Sequence, residues 1–344
     1  MEIIKPGINI DFIGKRKIAY FISGSLILIT LFLLAWKGPR YGVDFTGGVV
    51  IQVRFDKKKS IDEIREALKP IHLDDSIIQE FKGKEAEYLI RIRKTNINLA
   101  SVHDQVKDAL LAKFKKGVDI RRVEMVGPKI GKELKQKALL AIFYSILFIA
   151  IYISGRFEMK WMMSIVMAAA LIISVYTASS LGVKITWLIF IAMVVTLGLC
   201  WFLRLRYALG AIIALIHDVT ITIGAFLITQ KEISLAIVAA LLTIVGYSLN
   251  DTIIVFDRIR ENLRKPKKQP FPILINRSIN ETLSRTVLTS STTLFVVLAL
   301  FFLGGKVIHD FAFAMLVGIA VGTYSSIFVA SPILLIWKEE FGKK

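Results

Sequence analysis

Gly246-Tyr247-Ser248-Leu249-Asn250-Asp251-Thr252 lies inside an otherwise apolar run from Ile233 to Phe256. Such a run is long enough to cross a bilayer, which takes about 20 apolar residues. Yet it carries an amide, Asn250, and an acid, Asp251, side by side, ahead of the charged stop Asp257-Arg258-Ile259-Arg260. A charge near the bilayer centre costs about 2.5–3.5 kcal/mol on insertion scales, so such a residue faces the interior of a helix bundle or a watery path. Two readings follow. Either Asp251 pins helices together through hydrogen bonds, or it takes up and releases a proton to drive movement.

Composition sets the frame. The chain has 344 residues, 55% of them hydrophobic, and a mean hydropathy of +0.61, which is the profile of an integral membrane protein. Its net charge of +18 would point to nucleic acid if it were gathered on a soluble domain. Much of it instead falls in short loops between apolar runs, where Lys and Arg set topology; nucleic-acid binding is excluded on that ground. Cys200 is the single cysteine, so no disulfide forms within the chain. Ile18–Trp36 follows Lys15-Arg16-Lys17 and is too long for the core of a cleaved leader, so it reads as a first span with a cytoplasmic N-terminus.

Lys37 to Lys137 contains no spanning run and is read as an outer, periplasmic domain. Val49, Ile51, Val53 and Phe55 alternate with polar residues as a half-buried strand. Ser60-Ile61-Asp62-Glu63 has the spacing of a capping box, and Ile61, Ile64 and Leu68 follow on one helical face. Strand-like runs at Ser76–Phe81 and Glu87–Arg93 precede a second helix, Leu99–Phe114, with Val102, Val106, Ala109, Leu110 and Phe114 as its stripe. Asp119–Val126 closes the set. The order β-α-β-β-α-β predicts one α+β, ferredoxin-like domain.

Further apolar runs cover Ala138–Ser154, Trp161–Ser180, Ile185–Leu203, Tyr207–Thr229, Ile233–Phe256, Thr286–Gly304 and Phe311–Trp337. The expected fold class is therefore an α-helical polytopic membrane protein of about eight transmembrane helices, with both termini cytoplasmic. The basic loops agree: Arg156/Lys160, Arg204/Arg206 and the run from Arg258 through Lys267, Lys268 and Arg277 fall on one side. The Arg264–Pro272 loop is also suited to anionic membrane lipids. Gly318 and Gly322 have the small-xxx-small spacing of close helix packing.

Within the spans, ionisable residues are few: His217-Asp218, Asp251, and Arg285 in Ser284-Arg285-Thr286, followed by hydroxyls at Thr289, Ser290, Ser291, Thr292 and Thr293. Consecutive spans are antiparallel, so Asp251 and Arg285 can lie at comparable depth. Burial favours the protonated form of an acid and a nearby Arg the charged form, so a moving Arg could switch proton uptake to release. His217-Asp218 is either a polar pair joining helices or part of the same proton route. No metal-ligand cluster or nucleophile constellation occurs, Gly47-Gly48 and Gly304-Gly305 lack phosphate-loop spacing, and no cofactor or ordinary enzyme activity is expected.

Several of these stretches resemble one family. They are Tyr41-Gly-Val-Asp44-Phe-Thr-Gly47-Gly48, Gly127-Pro128-Lys-Ile-Gly131-Lys-Glu133-Leu134, the Ala208–Val219 segment with His217-Asp218, Val245 through Asn262, and Ser284-Arg285-Thr286. The chain is similar to the SecF branch of the SecD/SecF family, in the proton-driven RND superfamily. The resemblance implies an inner-membrane protein that binds SecD, with YajC, beside the SecYEG channel. There it uses protons to help draw exported, unfolded polypeptide across. It also implies that Asp251 and Arg285 form a proton-pathway pair. A passive translocon scaffold and an RND-type exporter half for lipids or small molecules are the competing readings. One departure stands out: the family runs from an Arg156-Phe157-Glu158 type of segment almost directly into the His-Asp helix. Here residues 161–206, with two apolar runs, lie between them, as an inserted transmembrane helix pair.

Overall fold

The computed structural model describes residues 8–80, 86–92, 99–115, 117–158, 161–180, 185–265 and 269–336. In chain order the elements are α1 (Arg16–Trp36), α2 (Val43–Thr46), β1 (Gly48–Phe55), α3 (Ile61–Leu68), β2 (Ile77–Glu80), β3 (Ala86–Ile92), α4 (Leu99–Phe114) and β4 (Val118–Val126). There follow α5 (Pro128–Glu158), α6 (Trp161–Ser180), α7 (Ile185–Phe202), α8 (Arg206–Ile228), α9 (Leu235–Leu263), α10 (Phe271–Leu303), α11 (Gly305–Ser325) and α12 (Ser331–Ile333). A 3-10 turn, Lys69–Ile71, follows α3, and a π-helical stretch, Ser326–Ala330, separates α11 from α12. The chain divides into two compact units, one of Tyr41–Ala138 with Glu232–Leu235, the other holding the remaining helices.

The α+β unit has the expected order, and its sheet runs β2-β3-β1-β4 with antiparallel neighbours, the ferredoxin-like arrangement. Alternation explains why β1 is a central strand. Val49, Ile51 and Val53 are fully buried and stand opposite Ile92, Ile90 and Tyr88 of β3. Ile64 and Leu68 of α3 and Val102, Val106 and Leu110 of α4 close the same core, so the helical stripes read from periodicity are the buried ones. Ala109 and Phe114 are only partly buried. The strand ends expected at Phe81 and Arg93 lie outside the described residues. A salt bridge from Lys113 to Glu66 (2.5 Å) ties the two helices, and its hydrogen bond holds the Glu66 carboxyl below its ordinary value.

The start of α3 is set by its cap. Ser60 Oγ accepts the Asp62 N–H at 3.3 Å, and the Glu63 carboxylate accepts the Ser60 N–H at 3.4 Å. Replacing a Ser cap by Ala costs about 1 kcal/mol. Ser60→Ala is therefore expected to raise hydrogen exchange across α3 by roughly fivefold, while β1 and β3 keep their protection; unchanged exchange in α3 would mean that packing alone holds that end.

In the membrane unit, six stretches among the described residues are long and apolar enough to cross a bilayer: α1, α5, α8, α9, α10 and Ile308–Ile336. About eight were expected. The other two fall in 161–206, where α6 and α7 are helices of 20 and 18 residues; some of their side chains lie outside the description. Two helices begin well before their apolar runs. α5 starts at Pro128 rather than Ala138 and α10 at Phe271 rather than Thr286. Lys, Arg, Glu and Gln are good helix formers, so a helix does not stop where its apolar stretch does. At the helical rise per residue, α5 and α10 are roughly 46 and 50 Å long, against about 30 Å of hydrocarbon. The basic positions Lys160, Lys184, Lys267 and Lys268 and the tail 338–344 lie outside the described residues.

α8 is the inner helix. Ala208, Leu209, Ala211, Ile212, Ala214 and Leu215 are buried on several sides, and a Cβ on Gly210 would come within 2.9 Å of the Ala330 carbonyl. Gly318 and Gly322 of α11 face α9: a Cβ would lie 2.3 Å from Ile244 Cδ1 and 2.9 Å from Ser248 Cβ respectively. α7 is two-sided. Ala192, Thr196 and Cys200, four residues apart, are buried, while Trp187, Phe190, Val194 and Trp201 are exposed. The α6–α7 pair thus packs on the bundle along one face of α7.

Candidate functional site

Among the described residues, two buried carboxylates sit in the helix bundle. Asp251 of α9 is 1% exposed. Its Oδ2 accepts hydrogen bonds from Ser290 Oγ of α10 (3.1 Å) and Thr323 Oγ1 of α11 (3.4 Å), and these two hydroxyls are 2.7 Å apart. Its Oδ1 is buried with no hydrogen-bond partner among the described residues. Of the hydroxyls that follow Arg285, Ser290 is the one that turns to the acid. Thr289, Thr292 and Thr293 return their hydroxyls to carbonyls three or four residues back, the usual way for a helical Thr to satisfy itself. Tyr247 ties α9 to α10, donating to the Thr289 carbonyl at 3.1 Å.

Arg285 and Asn250, both expected at this site, are exposed. No salt bridge among the described residues joins Arg285 to Asp251. α10 turns Ser290 and Thr286 inward and Arg285 outward, and α9 buries Asp251 while presenting Asn250. Neighbouring residues on a helix point about 100° apart, so a side-by-side Asn-Asp pair serves two different faces.

The second carboxylate, Asp218, is on α8 and fully buried. Its Oδ1 meets His217 Nδ1 at 2.8 Å; its Oδ2 accepts from Ser248 Oγ (2.5 Å) and Ser325 Oγ (2.8 Å). His217 Nε2 lies 3.0 Å from Ser23 Oγ of α1, and the imidazole stacks on the Tyr324 ring at 6.0 Å between centroids. Thr323, Tyr324 and Ser325 are consecutive, so one turn of α11 touches both acids. Directly after it the helix widens to π, where Ser331 Oγ donates to the Ser326 carbonyl (2.7 Å). Pro332 has no N–H to give the helix, and π turns of this kind are frequent at functional sites.

The glycine motifs come together in the α+β unit. Asp44 Oδ2 accepts the N–H of Leu235, the first residue of α9, at 2.8 Å. Gly47 adopts φ +75° and Gly48 φ +134°. A Cβ on Gly47 would lie 2.8 Å from Pro128 Cα, and one on Gly131 would lie 3.0 Å from Gly47 N and Phe45 O. Gly127, by contrast, has only the Ile130 side-chain tip at 4.0 Å.

These same stretches match family descriptions. The SecD/SecF GG motif matches residues 32–59, and the model of the protein export membrane protein SecD/SecF, C-terminal, matches 106–200 and 176–340. The chain belongs to the SecD/SecF family. The protein translocase subunit SecF of Magnetococcus marinus is 44% identical over 340 residues, covering 98% of this chain and 94% of that protein. That of Vibrio alginolyticus is 41% identical over 335 residues, covering 97% and 91%. Among solved structures, SecDF from Thermus thermophilus matches with a TM-score of 0.68 at 32% identity, over 97% of this chain. SecDF in a super-membrane-facing form matches with 0.60 at 31% identity, over 99%. The chain spans about two fifths of the length of those solved chains, 39% and 40%. Family membership makes it an auxiliary protein-translocase subunit, a transport component. The two segments of the C-terminal match overlap at 176–200, within α6 and α7.

Sequence reasoning missed Ser23, Ser248, Thr323 and Tyr324. Ser248 stands one turn from Asp251, a spacing that could have been noticed. Ser23 and Tyr324 lie in short hydroxyl-bearing stretches, Ser23-Gly24-Ser25 and Thr323-Tyr324-Ser325-Ser326, in which nothing singles out the residue that faces the His-Asp pair.

Proposed function

We propose that this chain works with a SecD-type partner in the bacterial inner membrane. There it uses the proton gradient to assist late stages of polypeptide export, with Asp251 as a proton-carrying acid. The observation that carries the reading is Asp251 itself, an acid in a spanning helix whose hydrogen bonds among the described residues come from hydroxyls, with one carboxylate oxygen unpartnered among them. A purely structural acid would be expected to use both oxygens. A second support is the outward Arg285 and Asn250. Polar and charged side chains in spanning helices face protein or water rather than lipid, so the α9–α10 face is the one a partner's helices would cover. Arg285 then belongs to a site completed by that partner, and the proton-pathway pairing with Asp251 is a state reached in the complex.

On this reading the SecYEG channel and YajC are further neighbours, both termini are cytoplasmic, the α+β unit is periplasmic, and 161–206 is an accessory helix pair. Arg285→Leu tests the interface. Purified from native membranes, the unmodified chain is expected to bring a second subunit with its own outer domain in stoichiometric amount. The variant is expected to keep the chain folded while lowering recovery of that subunit or abolishing proton-stimulated export. Recovery of the unmodified chain alone would remove the paired-subunit reading.

A further inference from the structure

Four contacts run in series from Asp218 to the backbone of α1. They are Asp218 Oδ1 to His217 Nδ1 (2.8 Å), His217 Nε2 to Ser23 Oγ (3.0 Å), Ser23 Oγ to the Tyr324 hydroxyl (3.2 Å), and the Tyr324 hydroxyl to the Ala19 carbonyl (2.9 Å). Each needs one hydrogen between its two atoms. The Ser23 and Tyr324 hydroxyls supply one each, and a neutral imidazole supplies one more. That leaves one contact empty. A fourth proton fills the series, either as imidazolium facing carboxylate or as imidazole facing a carboxylic acid. In both arrangements His217 and Asp218 together are neutral.

Ser23 is not free to satisfy itself in the usual way. A helical Ser commonly returns its hydroxyl to the carbonyl four residues back, which here is Ala19, and Tyr324 donates to that carbonyl. Ser23 is left between the imidazole and the tyrosine. The remaining oxygen of Asp218 accepts from Ser248 and Ser325. The groups facing the pair are therefore Ser23 from α1, Ser248 from α9 and Tyr324 and Ser325 from α11. No Lys or Arg bonds to either residue among the described residues, and the nearest further acid along α9 is Asp251, one turn from Ser248.

We infer that His217–Asp218 is a second proton-holding site, loaded as found, and that Ser23 and Tyr324 are the positioning residues that make its extra proton fit. Releasing that proton requires only a rotation of the Ser23 hydroxyl from Tyr324 toward Nε2, after which the Ser23–Tyr324 contact has no hydrogen. The Nε2–H bond breaks as water takes the proton, and the imidazole–carboxylate pair is left with one net negative charge. The inference rests on the proton-driven reading for its use, but the site is defined by the count of hydrogens alone.

The test is nitrogen NMR of the full chain in lipid nanodiscs with labelled histidine. The four histidines are resolved by the signal lost in His217→Gln. In the unmodified chain at neutral pH, a proton is expected on His217 Nε2 as well as between Nδ1 and Asp218. Tyr324→Phe removes two of the four contacts and one hydrogen, leaving two contacts that the Ser23 hydroxyl and a neutral imidazole fill, so loss of the Nε2 proton is expected; Ser23→Ala gives the same result if that variant does not fold. A single-proton imidazole in the unmodified chain overturns the inference. So does an Nε2 proton that persists in both variants. Export separates this from the first reading. Asp251→Asn without export loss, beside a doubly protonated His217, would reject Asp251 and keep this site. A single-proton His217 beside a dead Asp251→Asn would do the reverse.

Discussion

Asp251→Asn is expected to abolish proton-stimulated export into membrane vesicles while expression, membrane insertion and partner binding stay at the level of the unmodified chain. The substitution keeps the shape of the side chain and one acceptor for Ser290 and Thr323, which approach the same oxygen. Interhelical hydrogen bonds in membranes average only about 0.6 kcal/mol, so an Asn that retains them should hold the helices as well as the Asp does. What it removes is the titratable proton. Asp251→Glu, which restores the acid at the cost of one methylene, is expected to recover part of the activity. Undiminished stimulation in Asp251→Asn would leave Asp251 as a helix tie, and the scaffold reading would take over.

The second large effect is expected at Gly47. Its φ of +75° and ψ of 163° fall in a region that only glycine occupies readily, at a strain of about 1–3 kcal/mol for other residues. A side chain there also meets Pro128 Cα at 2.8 Å, a backbone atom that cannot turn aside. Gly47→Val should therefore loosen the junction of α2, β1 and the start of α5. Protease cleavage of the α+β unit in the intact chain is the measurement, with cleavage expected to rise by an order of magnitude or more. Gly127→Ala is the contrast within the same motif. No positive φ constrains it, and its new methyl would reach only the Ile130 side-chain tip at 4.0 Å, so it should be silent. Equal behaviour of the two variants would show that the motif's glycines are not there for backbone reasons.

Strand alternation in β1 and the Ser60 cap were legible because each is a local rule: period two places Val49, Ile51 and Val53 on one face, and an acid three residues after a Ser satisfies the helix start. The ferredoxin-like order followed from those. The buried acids were legible too, since a charge inside an apolar run has few explanations. Their partners were not. Ser23, Ser248 and Ser325 are brought to the His217–Asp218 pair from three different elements, and nothing local distinguishes them from Thr292, whose hydroxyl merely closes on its own helix. The early starts of α5 and α10 escaped for a different reason. Hydropathy marks where lipid begins, not where backbone hydrogen bonding does. The outward turn of Arg285 was not legible either, since depth along a span says nothing about rotation about the helix axis.

The residues that flank α6 and α7 meet. Glu158, the last residue of α5, accepts the backbone N–H of Tyr207 at 2.9 Å, and the Phe157 ring packs on both Tyr207 and Phe256 at 5.4 and 5.8 Å. α5 and α8 are thus joined directly at the point where the α6–α7 pair leaves and returns. This makes the junction a socket: any hairpin that leaves and returns at this spot preserves the direction of every later span. A fluorescent or affinity module flanked by two membrane helices could be plugged in place of α6 and α7, provided that its inner helix offers small residues where Ala192, Thr196 and Cys200 now sit.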